Sequence, residues 1–161
     1  MPETCEVALP VPLDRTFTYA LREGQRPIVV NVSSIVGHRG VPSYTDYCAS
    51  KFALLALSDA LRMELHGTGI EVISVLPAYT DTPFFDNMYR YGGVARMSPF
   101  KGQHPRQVAR AILRGCARHK RQVVLTVSSR LAIWLRRLSP RLLDAIVRQT
   151  GQRAAKAESK T

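Results

Sequence analysis

Pro27-Ile28-Val29-Val30-Asn31-Val32-Ser33-Ser34 decides how the rest of the chain is read. It is a nearly unbroken β-branched run, without the polar alternation of a strand that faces water on one side. That is the pattern of a strand covered on both faces, as in a parallel sheet. Parallel neighbours need crossover connections, usually helices, and the sequence supplies them. Gly37 and Gly40 open a loop. From about 43 to 66, Phe52, Leu55, Ala56, Asp59, Ala60, Met63 and Glu64 follow the 3.6-residue period, and Gly67-Thr68-Gly69 ends the helix. Residues 70–77 read as a second strand and 78–104 as an irregular loop. Residues 105–119 read as a helix with Pro105 in its first turn, and 122–126 as a third strand. Residues 130–138 and 140–148 read as two amphipathic helices split by Pro140, and 151–161 as a disordered tail. The order predicts an α/β domain over 27–150 built on a parallel sheet of three main strands with crossover helices.

Upstream the character changes. Val7-Ala8-Leu9-Pro10-Val11-Pro12-Leu13 is broken by proline, Thr16-Phe17-Thr18-Tyr19 alternates like a short strand, and Arg22-Glu23-Gly24 reads as a turn. Residues 1–26 are therefore set apart as a foreign-looking leader. They have no basic n-region or apolar h-region, so no secretory signal is read there.

Of the 161 residues, 45% are hydrophobic, which suits a globular domain, and no apolar run reaches the ~18 residues a spanning helix needs. Cys5, Cys48 and Cys116 stand far apart and no Cys/His group has metal-ligand spacing, so reduced thiols in a cytoplasmic protein are expected, with no metal. The net charge of +11 is uneven. Residues 1–95 carry 7 Lys/Arg against 10 Asp/Glu, whereas residues 96–161 carry 16 against 2, a net +14. Such a half favours polyanions: nucleic acid, acidic lipid or a phosphorylated cofactor. Its basic residues alternate with apolar ones at helical spacing, which also describes a solvated basic surface.

Tyr47-Cys48-Ala49-Ser50-Lys51 lies in the first helix, and a spacing of four puts Tyr47 and Lys51 on one face. A free phenol, with a pKa near ~10, is a poor base at neutral pH. A nearby ammonium favours the phenolate by roughly 3 kcal/mol at an effective dielectric of ~20. A tyrosine so placed exchanges a proton with a carbonyl or alcohol oxygen. Ser34 closes the first strand, at the carboxyl end where open parallel sheets bind ligands.

Asn31-Val32-Ser33-Ser34, Gly37, Tyr47-x-x-x-Lys51 and Pro77-Ala78-Tyr79-Thr80-Asp81-Thr82 occur in an order and spacing that closely resemble the short-chain dehydrogenase/reductase family over residues 27–138. The resemblance implies a partial Rossmann-like, doubly wound sheet and carbonyl/alcohol interconversion on a small molecule with NAD(P). It implies Tyr47 as general acid/base, Lys51 as the cation that assists it and binds the nicotinamide ribose, and Ser34 as the group that polarises the substrate oxygen. Pro77, Thr80 and Thr82 would lie in the cofactor turn, where Ala78 replaces the usual glycine. Within the substrate loop 78–104, Phe84, Phe85 and Met88 would line an apolar pocket, with Tyr89 and Tyr91 near it. His38 and Arg39, before Tyr47, are further candidates for substrate contact, although a solvated loop is the preferred reading.

The family's N-terminal βαβ cofactor unit is missing from the pattern. The chain has no Gly-x-x-x-Gly-x-Gly, no Asn-Asn-Ala-Gly and no residue that distinguishes NAD from NADP. The expectation is a truncated or fused copy, with the 27–32 strand as a bare edge prone to pairing with another chain or copy. Weak or absent dinucleotide binding is expected as well. Residues 6–24 resemble the start of primosomal protein N′, the replication-restart helicase. That makes a nucleic-acid-binding fragment one alternative, though no recognisable reading helix accompanies it. The other alternative is peripheral membrane contact through 130–148, against the preferred reading that those helices cover the sheet or the pocket.

Overall fold

The computed structural model describes residues 27–42, 44–85 and 102–158, apart from the side chains of Phe85 and residues 150–158. The leader 1–26, Met88, Tyr89 and Tyr91 lie outside the described residues. The sheet is parallel, in the order β1 (Ile28–Val32), β2 (Glu71–Leu76), β3 (Gln122–Val124). Its register pairs Val30 with Ile73 and Val75 with Val123. The open α/β architecture expected from the element order is the one observed. β2, between two neighbours, is buried from Val72 to Leu76, whereas β1 pairs with β2 alone among the described residues. Val32, at the end of β1, is 44% exposed.

The helices are α1 (Thr45–Glu64), α2 (Pro105–Ala117), α3 (Val127–Leu138) and α4 (Pro140–Glu158). α1 ends because Gly67 and Gly69 take positive φ (79° and 81°), a conformation that costs glycine little. α2 starts at a reciprocal cap between His104 and Gln107, with Pro105 where no backbone donor is needed.

Side chains alternate across a strand, and that places the helices. Leu57 and Leu61 of α1, with Leu65 at its C-terminal cap, pack with Val29 and Val72. Ala111, Ile112 and Cys116 of α2 pack with Val30, Ile73 and Val75, on the other face. Both crossovers step in the same direction along the sheet yet lie on opposite faces, so they have opposite hands. One of them departs from the right-handed rule that motivated the parallel reading.

Several boundaries differ from expectation. β1 stops at Val32; Ser33 still donates its N–H to Val75 O (2.9 Å), and then Ile35–Gly37 wind into a 3-10 turn. Thr126 is not in β3, because its hydroxyl accepts Ser129 N–H (3.1 Å) and caps a helix that starts at Val127 rather than 130. α4 runs on to Glu158 through Ala154-Ala155-Lys156-Ala157, all strong helix formers, where a disordered tail was expected. The apolar residues of 130–148 divide between a covered and an exposed side, with Ile133, Leu135 and Val147 half-buried. Leu143 is buried, but Leu131, Trp134, Leu138, Leu142 and Ile146 are 42–62% exposed rather than turned onto the sheet.

Candidate active site

The carboxyl ends of β1 and β2 open into a cleft of about 600 Å³. Ser34, Tyr47, Lys51, Pro77, Thr80, Thr82 and Phe84 all line it. Of the other residues expected near the pocket, the side chain of Phe85 and the whole of Met88, Tyr89 and Tyr91 lie outside the described residues.

α1 presents Tyr47 and Lys51 one turn apart, with the ammonium 5.6 Å from the centre of the phenol ring. Lys51 Nζ also donates to Val32 O (3.2 Å), which ties it to the end of β1. The Phe84 ring lies 5.6 Å from the Tyr47 ring at 49°, a tilted aromatic pair. Ser34 is buried, at 7% exposure, in extended backbone at the head of the 3-10 turn. Its hydroxyl is engaged only at long range, accepting Val36 N–H at 3.4 Å and donating to Pro77 O at 3.5 Å. A closer oxygen in the cleft competes easily with bonds of that length.

α1 is held close to the strand ends. Ser33 Oγ donates to Lys51 O (2.9 Å), and Gly37 sits under the same carbonyl, where a Cβ would be 2.8 Å from it. Asn31 also serves this join, since its amide donates to Ser58 Oγ (2.9 Å), in a position with no part in the cleft.

Three contributions were missed in the sequence. Gln103 folds back on the turn after β2: its backbone bridges Tyr79 and Asp81, and its Oε1 accepts Ala78 N–H (3.2 Å). Ser50 and Leu54 extend the α1 wall. Pro105, Val108, Ala109 and Ile112 of α2 form the opposite wall, which the i, i+4 spacing of Val108 and Ile112 could have suggested. His38 and Arg39 do not reach the cleft. His38 Nε2 lies 3.1 Å from Gln122 Nε2 and Arg39 pairs with Asp144 (2.8 Å), so both serve packing of the C-terminal half. Burial, then Arg136 and Arg137, push the His38 pKa below its usual range, against a smaller opposing pull from Asp59. Burial likewise raises the Cys48 thiol, which accepts Val41 N–H (3.3 Å). Among the described residues no group of three His, Cys, Asp or Glu could hold a metal ion, and no helix is long and apolar enough to cross a membrane.

Known proteins are similar to this chain in sequence and fold. Dehydrogenase/reductase SDR family member 7B of Rattus norvegicus is 30% identical over 156 residues, covering 93% of this chain and 48% of its own length. A short chain dehydrogenase from Burkholderia cenocepacia J2315, solved in complex with NADP, superposes with a TM-score of 0.67 at 26% identity, over 83% of this chain and 52% of its own. A short-chain dehydrogenase from Sphingobium yanoikuyae, in complex with NADPH, gives 0.55 at 28% identity, over 71% and 44%. The chain spans about half the length of the curated relatives it matches. Nothing in these comparisons supports the likeness of residues 6–24 to primosomal protein N′, or a nucleic-acid-binding reading. The family model for short chain dehydrogenase matches residues 10–90, starting inside the segment that reads as foreign. With that match over just half its length, the chain belongs to the short-chain dehydrogenase family.

Proposed function

We propose that this chain carries the proton-transfer half of a nicotinamide-dependent oxidoreductase that interconverts a carbonyl and an alcohol on a small molecule. The observation that carries the reading is the single cleft that gathers Ser34, Tyr47 and Lys51 with Pro77, Thr80 and Thr82 at the carboxyl ends of parallel strands. The donor set fits the nicotinamide and ribose end of such a cofactor. Lys51 offers an ammonium and Thr82 a hydroxyl, while the Ser50 and Thr80 hydroxyls, which donate to Tyr47 O (2.8 Å) and Ala78 O (3.1 Å), remain as acceptors, beside the apolar walls of Pro77 and Ile112. When bound, the cofactor supplies or accepts the hydride.

The chain's own residues handle the proton. In the reducing direction Tyr47 gives its phenolic proton to the oxygen of the former carbonyl; in the oxidising direction it takes that proton back. Lys51, held by Val32 O, keeps positive charge beside the phenol and favours the phenolate that remains. Ser34 turns its loosely engaged hydroxyl to the substrate oxygen and fixes it toward Tyr47. Phe84 and α2 exclude water and select an apolar substituent.

The test uses the purified full chain. Calorimetric titration with NADH and with NADPH measures cofactor binding, and loss of reduced nicotinamide absorbance over a panel of ketones and aldehydes measures turnover. Tyr47→Phe is expected to lower kcat by at least ~100-fold with cofactor affinity unchanged. Undiminished turnover in Tyr47→Phe, or no turnover of any ketone or aldehyde at high concentrations of either cofactor, refutes the proposal, and tight binding of either cofactor overturns the expected weakness of dinucleotide binding.

A further inference from the structure

α3 and α4 carry an apolar stripe that no described residue covers. Val127, Leu131, Trp134 and Leu138 recur at spacings of four, three and four along α3, and are 79%, 60%, 59% and 62% exposed. Leu142 and Ile146 continue the pattern on α4, at 51% and 42%. A helix in water normally turns such a stripe inward, and large exposed apolar patches mark interaction sites.

The charges beside the stripe say what covers it. Arg130 and Arg137 stand four before and three after Trp134, one turn away on the same side of the helix. Arg141 and Arg148 add two cations on α4, and Arg137, Arg141 and Arg148 are all exposed. The single acid between 127 and 148 is Asp144, and Arg39 already neutralises it (2.8 Å). The face is therefore aliphatic and aromatic at its centre and cationic along its flank. A second copy of the same face would bring like charges together, and a nucleic acid would leave the aliphatic stripe in water. An anionic bilayer satisfies both parts: Leu131, Leu138, Leu142 and Ile146 enter the acyl boundary, Trp134 sits at headgroup level, and the arginine stems reach out to phosphates. We propose that the α3–α4 hairpin is a docking surface for anionic membrane, holding the chain peripherally without crossing the bilayer. It is independent of the activity assigned to the cleft.

The chain contains one tryptophan, Trp134, so its fluorescence reports on this face alone. Full-length protein is mixed with phosphatidylcholine vesicles, with and without phosphatidylserine, at low and high salt. Co-sedimentation and tryptophan emission are then read. The expected result is sedimentation and a blue shift with phosphatidylserine at low salt, and neither with phosphatidylcholine alone. Leu131→Gln with Leu138→Gln, and separately Arg137→Glu with Arg141→Glu, should each weaken binding at least ~10-fold. All four sites are exposed, and circular dichroism checks that each pair still folds. No sedimentation or no shift with phosphatidylserine overturns the proposal. So does unchanged binding by the glutamine pair, or a lipid-free dimer in which Trp134 is already shielded from a soluble quencher.

Discussion

Gly37→Ala should cost this protein about 2–4 kcal/mol, and the number follows from three contacts. A Cβ at Gly37 would stand 2.8 Å from Lys51 O, 2.8 Å from Ser33 Oγ and 2.9 Å from Leu55 Cδ1. Non-bonded heavy atoms settle at ~3.5–4.0 Å, so each contact is short by more than half an ångström. Lys51 O belongs to mid-helix backbone, and Leu55 is buried at 8% exposure, so neither retreats freely. Relief comes from lifting the 3-10 turn off α1, which breaks the bond from Ser33 Oγ to Lys51 O (2.9 Å). Overpacking of this kind costs ~1–3 kcal/mol, and the lost hydrogen bond adds about 1. Urea denaturation followed by far-ultraviolet circular dichroism measures the difference, with an unchanged m-value as the check on two-state behaviour. Gly40→Ala is the control, because nothing lies within 4 Å of a Cβ there. It should fall within ~0.5 kcal/mol of the parent, or stabilise slightly through the unfolded chain. If Gly37→Ala matches the parent, or if both substitutions cost the same, the tight seating of α1 on the 3-10 turn is wrong. The positions of Tyr47 and Lys51 would then need another explanation.

Ser58 is fully buried, accepts the Asn31 amide (2.9 Å) and donates to Leu54 O (2.6 Å). Ser58→Ala strands the Asn31 amide and should cost ~1–3 kcal/mol in the same denaturation experiment; a loss under ~0.3 would deny that bond a role. His38 makes acid destabilising. Its folded pKa lies below the ordinary 6.5, chiefly through burial and then Arg136 and Arg137. Above 6.5 it is neutral in both states. Below that value the unfolded chain binds the proton more readily, so stability falls as pH drops toward the folded pKa. His38→Gln should flatten the fall in Tm between pH ~7.5 and ~5.5, and an unchanged slope would place the titrating group elsewhere.

Much of this was legible because backbone geometry imposes local periods. The unbroken run Ile28–Val32 predicts a strand of a parallel sheet and forms one. It pairs with β2 alone among the described residues and stays half-buried with Val32 exposed, whereas Val72–Leu76 of its neighbour is buried throughout. A spacing of four in a helix brings Tyr47 and Lys51 together whatever surrounds them. Boundaries were less legible where a side chain took over from the backbone. Thr126 reads as strand by its β-branch, yet its hydroxyl caps α3. Ser34 reads as the end of a strand, yet it heads a 3-10 turn.

By itself the sequence determined the element order, the parallel sheet and the residues that meet on α1, since each depends only on neighbours within one turn or one strand. Tertiary structure alone decided that α1 and α2 lie on opposite faces and that α2 walls the cleft. It also turned His38 and Arg39 away from the cleft, toward partners 84 and 105 residues later. It left the stripe of α3 and α4 bare. The physical reason is the same in each case. A periodic pattern says that a helix has an apolar face; only closure of the chain over long separations says what, if anything, meets it.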